Sequence, residues 1–203
     1  IGHLNKESKE KITVLVATSG DTGGAVANGF LGVEGVNVVI LYPRGKVSEI
    51  QEKQLTTLGQ NITALEVDGV FDDCQEMVKN AFLDSGLSSV QLTSANSINV
   101  ARWLPQMFYY FIAYRALKQK NKKLVFSVPS GNFGNICAGL MGQQMGLPIN
   151  HFIACTNLND SVPRYLKTGN YEPLPTKQTI SNAMDVGNPS NFIRIQTIFN
   201  NDI

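Results

Sequence analysis

Two glycine-rich loops hold most of the residues in this chain whose types and spacing suit chemistry. The first is Ala17-Thr18-Ser19-Gly20-Asp21-Thr22-Gly23-Gly24, directly after the apolar run Ile12 to Val16. The second is Ser130-Gly131-Asn132-Phe133-Gly134-Asn135, directly after Leu124 to Val128. Each falls where a strand should end and a helix begin. There, several backbone N–H groups lack helical partners and point to one place. Glycine lets the backbone approach an anion closely, and the helix end adds partial positive charge. Two such loops imply one or two ligands carrying phosphate.

Neither loop is decisive alone. A strand–GxxG–helix also describes ordinary α/β turns with nothing bound. In the first loop, Ser19 and Thr22 add hydroxyl donors, and a plain helix N-cap by Ser19 or Asp21 is the alternative. Asp21-Thr22-Gly23 matches the aspartic protease triplet, but no second triplet exists to pair with it. A third donor-rich stretch is Ser94-Ala95-Asn96-Ser97-Ile98-Asn99-Val100-Ala101-Arg102. The planar fork of Arg102 suits an oxyanion. An elaborate N-cap followed by a surface arginine would look the same.

The elements that must position these loops alternate in type. Ile12 to Ala17 and Val36 to Tyr42 read as strands, the second rich in β-branched residues. A small-residue helix around Ala25 to Phe30 lies between them. Ser48-Glu49-Ile50-Gln51 has the form of a capping box, opening a helix that Gly59 should stop. Ile62 to Val67 reads as a strand, and Asp72 or Asp73 opens the next helix. A short strand is expected at Val90 to Leu92. Ser97 or Asn99 then caps a long helix to about Leu117, with Pro105 in an early turn. Its stretch Met107 to Tyr114 is apolar and reads as a buried helix. Leu124 to Val128, Ile136 to Met145 and Ile149 to Cys155 continue as strand, helix and strand. Thr168 to Ser190 reads as irregular. Alternation of this kind predicts an α/β fold with a largely parallel sheet and helices on both faces. Ligands in such folds bind at the carboxyl ends of strands, where both loops fall. A subdomain boundary is expected within 93–102.

Composition narrows the function classes. The 203 residues are 43% hydrophobic and 16% charged, an ordinary globular composition. The formal net charge of +1 gives no sign of nucleic acid or an anionic membrane as partner. No apolar run reaches the length of a membrane span. The three cysteines, Cys74, Cys137 and Cys155, show no metal spacing, and their odd number points to a reducing cytoplasm. Only two histidines occur, His3 and His151, which argues against a histidine metal site or a Ser-His-Asp triad. His151, just before an apolar run, reads as structural. No metal is expected.

Taken in order, the motifs resemble the threonine synthases, of the branch found in enterobacteria and fungi. The matching stretches are Ala-Thr-Ser-Gly-Asp-Thr-Gly at 17–23, Ile-Leu-Tyr-Pro-Arg-Gly-Lys at 40–46, Ser-Ala-Asn-Ser-Ile-Asn at 94–99 and Ser-Val-Pro-Ser-Gly-Asn-Phe-Gly at 127–134. Two later stretches match too, from Asn157 to Arg164 and from Ser181 to Val186. The likeness runs from about 12 to 198.

The resemblance implies a three-layer αβα fold like that of the tryptophan synthase β subunit, known as fold-type II. It implies a small α/β domain over 1–95 and part of a large cofactor-binding domain over 96–203. It also implies pyridoxal 5′-phosphate as cofactor and conversion of O-phospho-L-homoserine and water into L-threonine and phosphate. By the same analogy, Gly131, Asn132, Phe133, Gly134 and Asn135 hold the cofactor phosphate. Ser19, Gly20, Asp21 and Thr22 embrace the substrate carboxylate and the cofactor ring. Asn96, Ser97 and Arg102 bind the substrate phosphate. The family's Schiff-base lysine lies in a Phe-Lys-Asp segment ahead of the first loop, and no Phe-Lys-Asp occurs in this sequence. Lys6, Lys9 and Lys11 read instead as a solvated helix end or loop. The aligned lysine is expected just before Ile1. The chain, which begins without methionine, is therefore expected to be an internal fragment, inactive alone and binding the cofactor weakly or not at all. Another fold-type II lyase such as a serine or threonine dehydratase is the nearest alternative. A non-catalytic Rossmann-like nucleotide module is the other, although Leu41-Tyr42-Pro43 offers no acid for a ribose.

Overall fold

The computed structural model describes residues 2, 3, 5, 10–97 and 99–200. Lys6 and Lys9 of the lysine cluster, the start at Ile1 and the last residues 201–203 lie outside these. The chain divides into two compact units, Ile1–Asn96 and Ser97–Ile203.

The first unit runs β1 (Ile12–Ala17), α1 (Asp21–Phe30), β2 (Val36–Pro43), α2 (Glu49–Thr56), β3 (Ile62–Val67), α3 (Phe71–Leu83) and β4 (Gln91–Ser94). Its four strands form one sheet in the order β3-β2-β1-β4. All pair in parallel, with Ile12 opposite both Val36 and Gln91. Parallel neighbours need crossovers, which the helices provide. Side chains alternate faces along a strand. Val14, Val16, Val38 and Ile40 therefore share one face, buried with Val26 and Ala27 of α1 and Leu55 of α2. α3 packs on β1 and β2 and buries Cys74 and Val78. The capping box of α2 forms as its sequence predicts. The Gln51 N–H donates to Ser48 Oγ at 3.3 Å, and the Ser48 N–H to Gln51 Oε1 at 2.9 Å.

Chain order reverses between β1 and β4. In open α/β sheets such a switch point opens a crevice outside the carboxyl ends of the strands. The first glycine loop follows β1 and the stretch Ala95-Asn96 follows β4, so this unit puts both at its switch point.

The second unit opens with a 3-10 turn, Val100–Arg102, and continues as α4 (Trp103–Leu117), β5 (Val125–Pro129), α5 (Gly134–Gln144), β6 (His151–Cys155), α6 (Ser161–Thr168) and α7 (Phe192–Ile198). β5 and β6 pair in parallel. The core joins Trp103, Met107 and Tyr110 of α4 to Ile136, Cys137 and Leu140 of α5 and to Phe192 and Ile195 of α7. Gly139 permits the close approach of α4 and α5, because a Cβ there would lie 2.6 Å from Tyr110 Cζ.

α4 departs from the sequence expectation. It is helical, with Pro105 in its first turn, but it is not buried all round. Phe108, Tyr109 and Ile112 are 55%, 62% and 64% exposed. Among the described residues its neighbours cover only the stripe Trp103, Met107, Tyr110. A helix apolar on every face needs partners on every side to be fully buried.

Candidate functional site

The first loop is shorter than its sequence suggests, because α1 starts at Asp21 and takes Asp21 to Gly24 into its first turns. Neither Ser19 nor Asp21 caps it. The N-cap is Gly20, at φ 133, a conformation L side chains rarely adopt. The capping work falls to Thr18, which is fully buried. Its Oγ1 accepts from the Gly20 N–H at 2.9 Å and the Gly23 N–H at 2.8 Å. Two loop donors are thereby consumed within the loop. The N–H groups of Asp21 and Thr22 keep no partner among the described residues. The Asp21 carboxylate is drawn toward α2, where Gln51 Nε2 donates to it at 2.7 Å.

Asn96 locks this loop to β4. Its Oδ1 accepts from the Ala17 N–H at 2.8 Å and its Nδ2 donates to the Ala17 carbonyl at 2.6 Å. The side-chain amide thus continues the β1–β4 ladder one step past Ser94. Asn96 is buried, and its second Nδ2 hydrogen has no partner among the described residues.

The second loop is organised differently. The Ser130 N–H closes the strand pair on the Cys155 carbonyl at 2.8 Å. The chain then turns through Phe133, left-handed at φ 59, directly into α5. A left-handed residue outside glycine costs about 1–2 kcal/mol. Burial of the Phe133 ring against Phe192, at a centroid distance of 6.3 Å, offsets this. A left-handed residue followed by helical ones turns successive N–H groups to one side, forming an anion nest. Among the described residues the N–H groups of Gly131 through Ile136 have no hydrogen-bond partner. Gly131 admits no side chain here, since a Cβ would lie 2.8 Å from Met184 Cα.

The loop's own side chains face away from this nest. Asn135 turns to α4, where Tyr110 Oη donates to its Oδ1 at 2.6 Å. Burial pushes the Tyr110 hydroxyl up to about 12, so it stays a donor. Asn132 Oδ1 accepts from the Ser190 N–H at 2.6 Å, and its Nδ2 donates to Ser97 Oγ at 2.9 Å. Ser97 therefore belongs to the framework of the second loop. Asn191 completes that framework, donating to Ser97 Oγ at 3.1 Å and to the Asn132 carbonyl at 2.9 Å. Arg194 in turn donates to Asn191 Oδ1 at 2.7 Å and to the Ser97 carbonyl at 3.0 Å. Its guanidinium lies 4.6 Å from the Trp103 ring centroid. Thr18, Asn191 and Arg194 are the residues that motif spacing alone misses.

Arg102 sits in the 3-10 turn capped by Asn99, whose Oδ1 accepts from the Ala101 N–H at 3.0 Å. Partial burial lowers its pKa from the ordinary guanidinium value, with Tyr109 acting the other way. It remains a cation.

The second loop is thus an open set of backbone donors, with the side-chain amides of Asn132, Asn135 and Asn191 committed to the framework around it. A family model described as pyridoxal-phosphate dependent enzyme matches residues 1–197. The chain belongs to this family. Its phosphate-bearing cofactor fits the residues present. The nest offers unbonded N–H groups, a helix N-terminus and no carboxylate among residues 130–136. Threonine synthase of Buchnera aphidicola is 54% identical over 97% of the chain, which spans 46% of that protein. The crystal structure of threonine synthase from Escherichia coli superposes with a TM-score of 0.91 at 52% identity, covering 95% of this chain and 45% of that one. The PLP-bound threonine synthase of Brucella melitensis follows with a TM-score of 0.82 at 41% identity, over 99% of this chain and 44% of its own. The chain therefore spans a little under half the length of these relatives. Its α/β fold with parallel sheets is that of the family. Among the described residues no helix is long and apolar enough to cross a membrane.

Proposed function

We propose that the protein is a threonine synthase, converting O-phospho-L-homoserine and water into L-threonine and phosphate. The observation that carries this reading is identity above one half along nearly the whole chain with proteins of that name. The first unit then corresponds to the small domain and the second to part of the large one. Three cysteines, an odd number, support a cytoplasmic location.

Pyridoxal phosphate, when bound, supplies an electron sink for charge developing beside the amino group. The chain's own residues bind, orient and stabilise. The N–H groups of Gly131 to Asn135 hold the cofactor phosphate. The side chains of Asn132, Phe133 and Asn135 hold the loop itself. Ser19, Gly20, Asp21 and Thr22 receive the substrate carboxylate, with the unbonded N–H groups of Asp21 and Thr22 as donors. Arg102, Ser97 and the remaining Nδ2 hydrogen of Asn96 receive the substrate phosphate. As that phosphate departs, charge gathers on its oxygens. Fixed donors that need no reorganisation stabilise such charge most. We further propose that these 203 residues alone do not turn over, since they contain no Phe-Lys-Asp.

The test is phosphate release from O-phospho-L-homoserine by the full gene product supplied with pyridoxal phosphate, with the 203-residue chain alongside. Release matched by threonine is expected from the first and none from the second. Ammonia release from serine or threonine, without phosphate chemistry, would move the assignment to a dehydratase. Turnover by the 203-residue chain would overturn the claim about the lysine.

A further inference from the structure

Beneath the second loop lies a side chain that neither the motifs nor the reaction accounts for. Asn191 is fully buried at the N-cap position of α7, yet its side-chain amide makes no capping bond to that helix. Its Nδ2 divides two hydrogens between Ser97 Oγ at 3.1 Å and the Asn132 carbonyl at 2.9 Å. Each bond has a directional consequence. In a trans peptide the carbonyl and the following N–H point opposite ways. Holding the Asn132 carbonyl on Asn191 therefore turns the Phe133 N–H outward, into the nest. A hydroxyl has two lone pairs and one hydrogen. Ser97 Oγ already accepts from Asn132 and Asn191, so its hydrogen must point away from both. No acceptor for it exists among the described residues. Arg194, donating to Asn191 Oδ1 at 2.7 Å, fixes which way the amide faces.

We propose that Asn191 is a positioning residue that aims two donors at two different phosphates. One is the Phe133 N–H, directed at the cofactor phosphate. The other is the Ser97 hydroxyl, directed at the substrate phosphate. This rests on the threonine synthase reading for its second half only, since the first half concerns cofactor affinity. Without Asn191 the 132–133 peptide is free to flip, presenting a carbonyl to an anion in place of an N–H. The Ser97 hydrogen would lose its fixed direction at the same time.

The experiment compares Asn191→Ala, Asn191→Asp, Ser97→Ala and Ile195→Val in the full gene product. Ile195 is a buried residue of α7, the helix that starts just after Asn191, and its side chain is wholly apolar. Three quantities are read: the melting temperature, the dissociation constant for pyridoxal phosphate, and KM for O-phospho-L-homoserine. Asn191→Ala should weaken cofactor binding roughly tenfold or more and raise KM, because each donor is lost or misaimed. Asn191→Asp should be worse than Ala on cofactor affinity. Its carboxylate faces the Asn132 carbonyl and adds a negative charge beside the phosphate site. Ser97→Ala should raise KM and leave cofactor affinity within about threefold. Ile195→Val should lower the melting temperature and leave both affinities unchanged. If Asn191→Ala loses melting temperature but binds cofactor like wild type, Asn191 is structural packing and the proposal fails. Should Asn191→Ala not fold, a wild-type KM in Ser97→Ala or wild-type cofactor affinity in Asn191→Asp overturns it equally. If the wild type binds pyridoxal phosphate but releases no phosphate, the functional reading has failed. The cofactor arm still decides the Phe133 half.

Discussion

The two glycine loops look alike on paper and are built on opposite plans. In the first, a buried hydroxyl at Thr18 takes the Gly20 and Gly23 N–H groups for itself. In the second, no N–H from Gly131 to Ile136 is taken by the described protein, and the side chains work underneath as supports. An anion site needs its donors unspent and its framework rigid. The second loop meets both needs. The first is a rigid turn in which, among the described residues, the Asp21 and Thr22 N–H groups are left without partners. This division suits a tightly held cofactor phosphate in one loop and a transient substrate group at the other.

The sharpest way to break the comparison is one methyl group in each loop. Gly131→Ala puts a Cβ 2.8 Å from Met184 Cα and 2.9 Å from its carbonyl oxygen, where only backbone can give way. Fluorescence titration should find cofactor affinity down roughly 100-fold, about 2.7 kcal/mol. Gly20→Ala faces a φ of +133 and the Gln51 side chain, which can move aside. Its strain is worth about 1–3 kcal/mol. Steady-state kinetics should find it mainly in KM, with cofactor affinity falling much less than in Gly131→Ala. Equal losses of cofactor affinity in both variants would erase the distinction between the loops.

Next in size is Thr18→Val, nearly the same shape without the hydroxyl. It orphans two N–H groups, a cost of about 1–3 kcal/mol per buried group. Urea unfolding should report the loss while the cofactor dissociation constant stays put. A change in cofactor binding instead would mean that the first loop also holds the phosphate.

How far the sequence reveals all this differs between the loops. Strand ends, glycines and the Ser48–Gln51 capping box are local patterns, and each forms at or within a residue or two of its expected place. The hydroxyls Ser19 and Thr22 advertise themselves, yet the cap is Thr18. Only burial separates these three, and burial is a property of the folded sheet. Asn191 pairs with Ser97 across 94 positions in sequence. No spacing rule spans that distance. α6 is short, with Pro163 within its eight residues, so it carries little periodic signal. The exposed face of α4 is invisible for a related reason: hydropathy shows that a helix wants partners, not where they are.

The smallest expected effect concerns the thiols. Burial pushes the Cys74 thiol up to about 11 and the Cys137 thiol up to about 12, while Cys155 is exposed. At pH 8 only Cys155 should react promptly with a thiol reagent, since the thiolate is the nucleophile. The same shifts make stability fall at high pH. The unfolded thiols ionise near 9.0, below their folded values, so above that pH the unfolded state binds fewer protons. The loss begins near pH 9 and continues toward 12. Prompt labelling of Cys137 would mean that α5, and with it the second loop, opens readily.

The central claim is that the second loop's unspent N–H groups hold the cofactor phosphate. Backbone amide NMR of the full gene product during titration with pyridoxal phosphate tests it most directly. The account predicts that the amide protons of Gly131 to Asn135 move downfield as they bind phosphate, with Phe133 among the largest, while Gly20 and Gly23 stay in place. Large shifts at Gly20 and Gly23 with a silent second loop would contradict it.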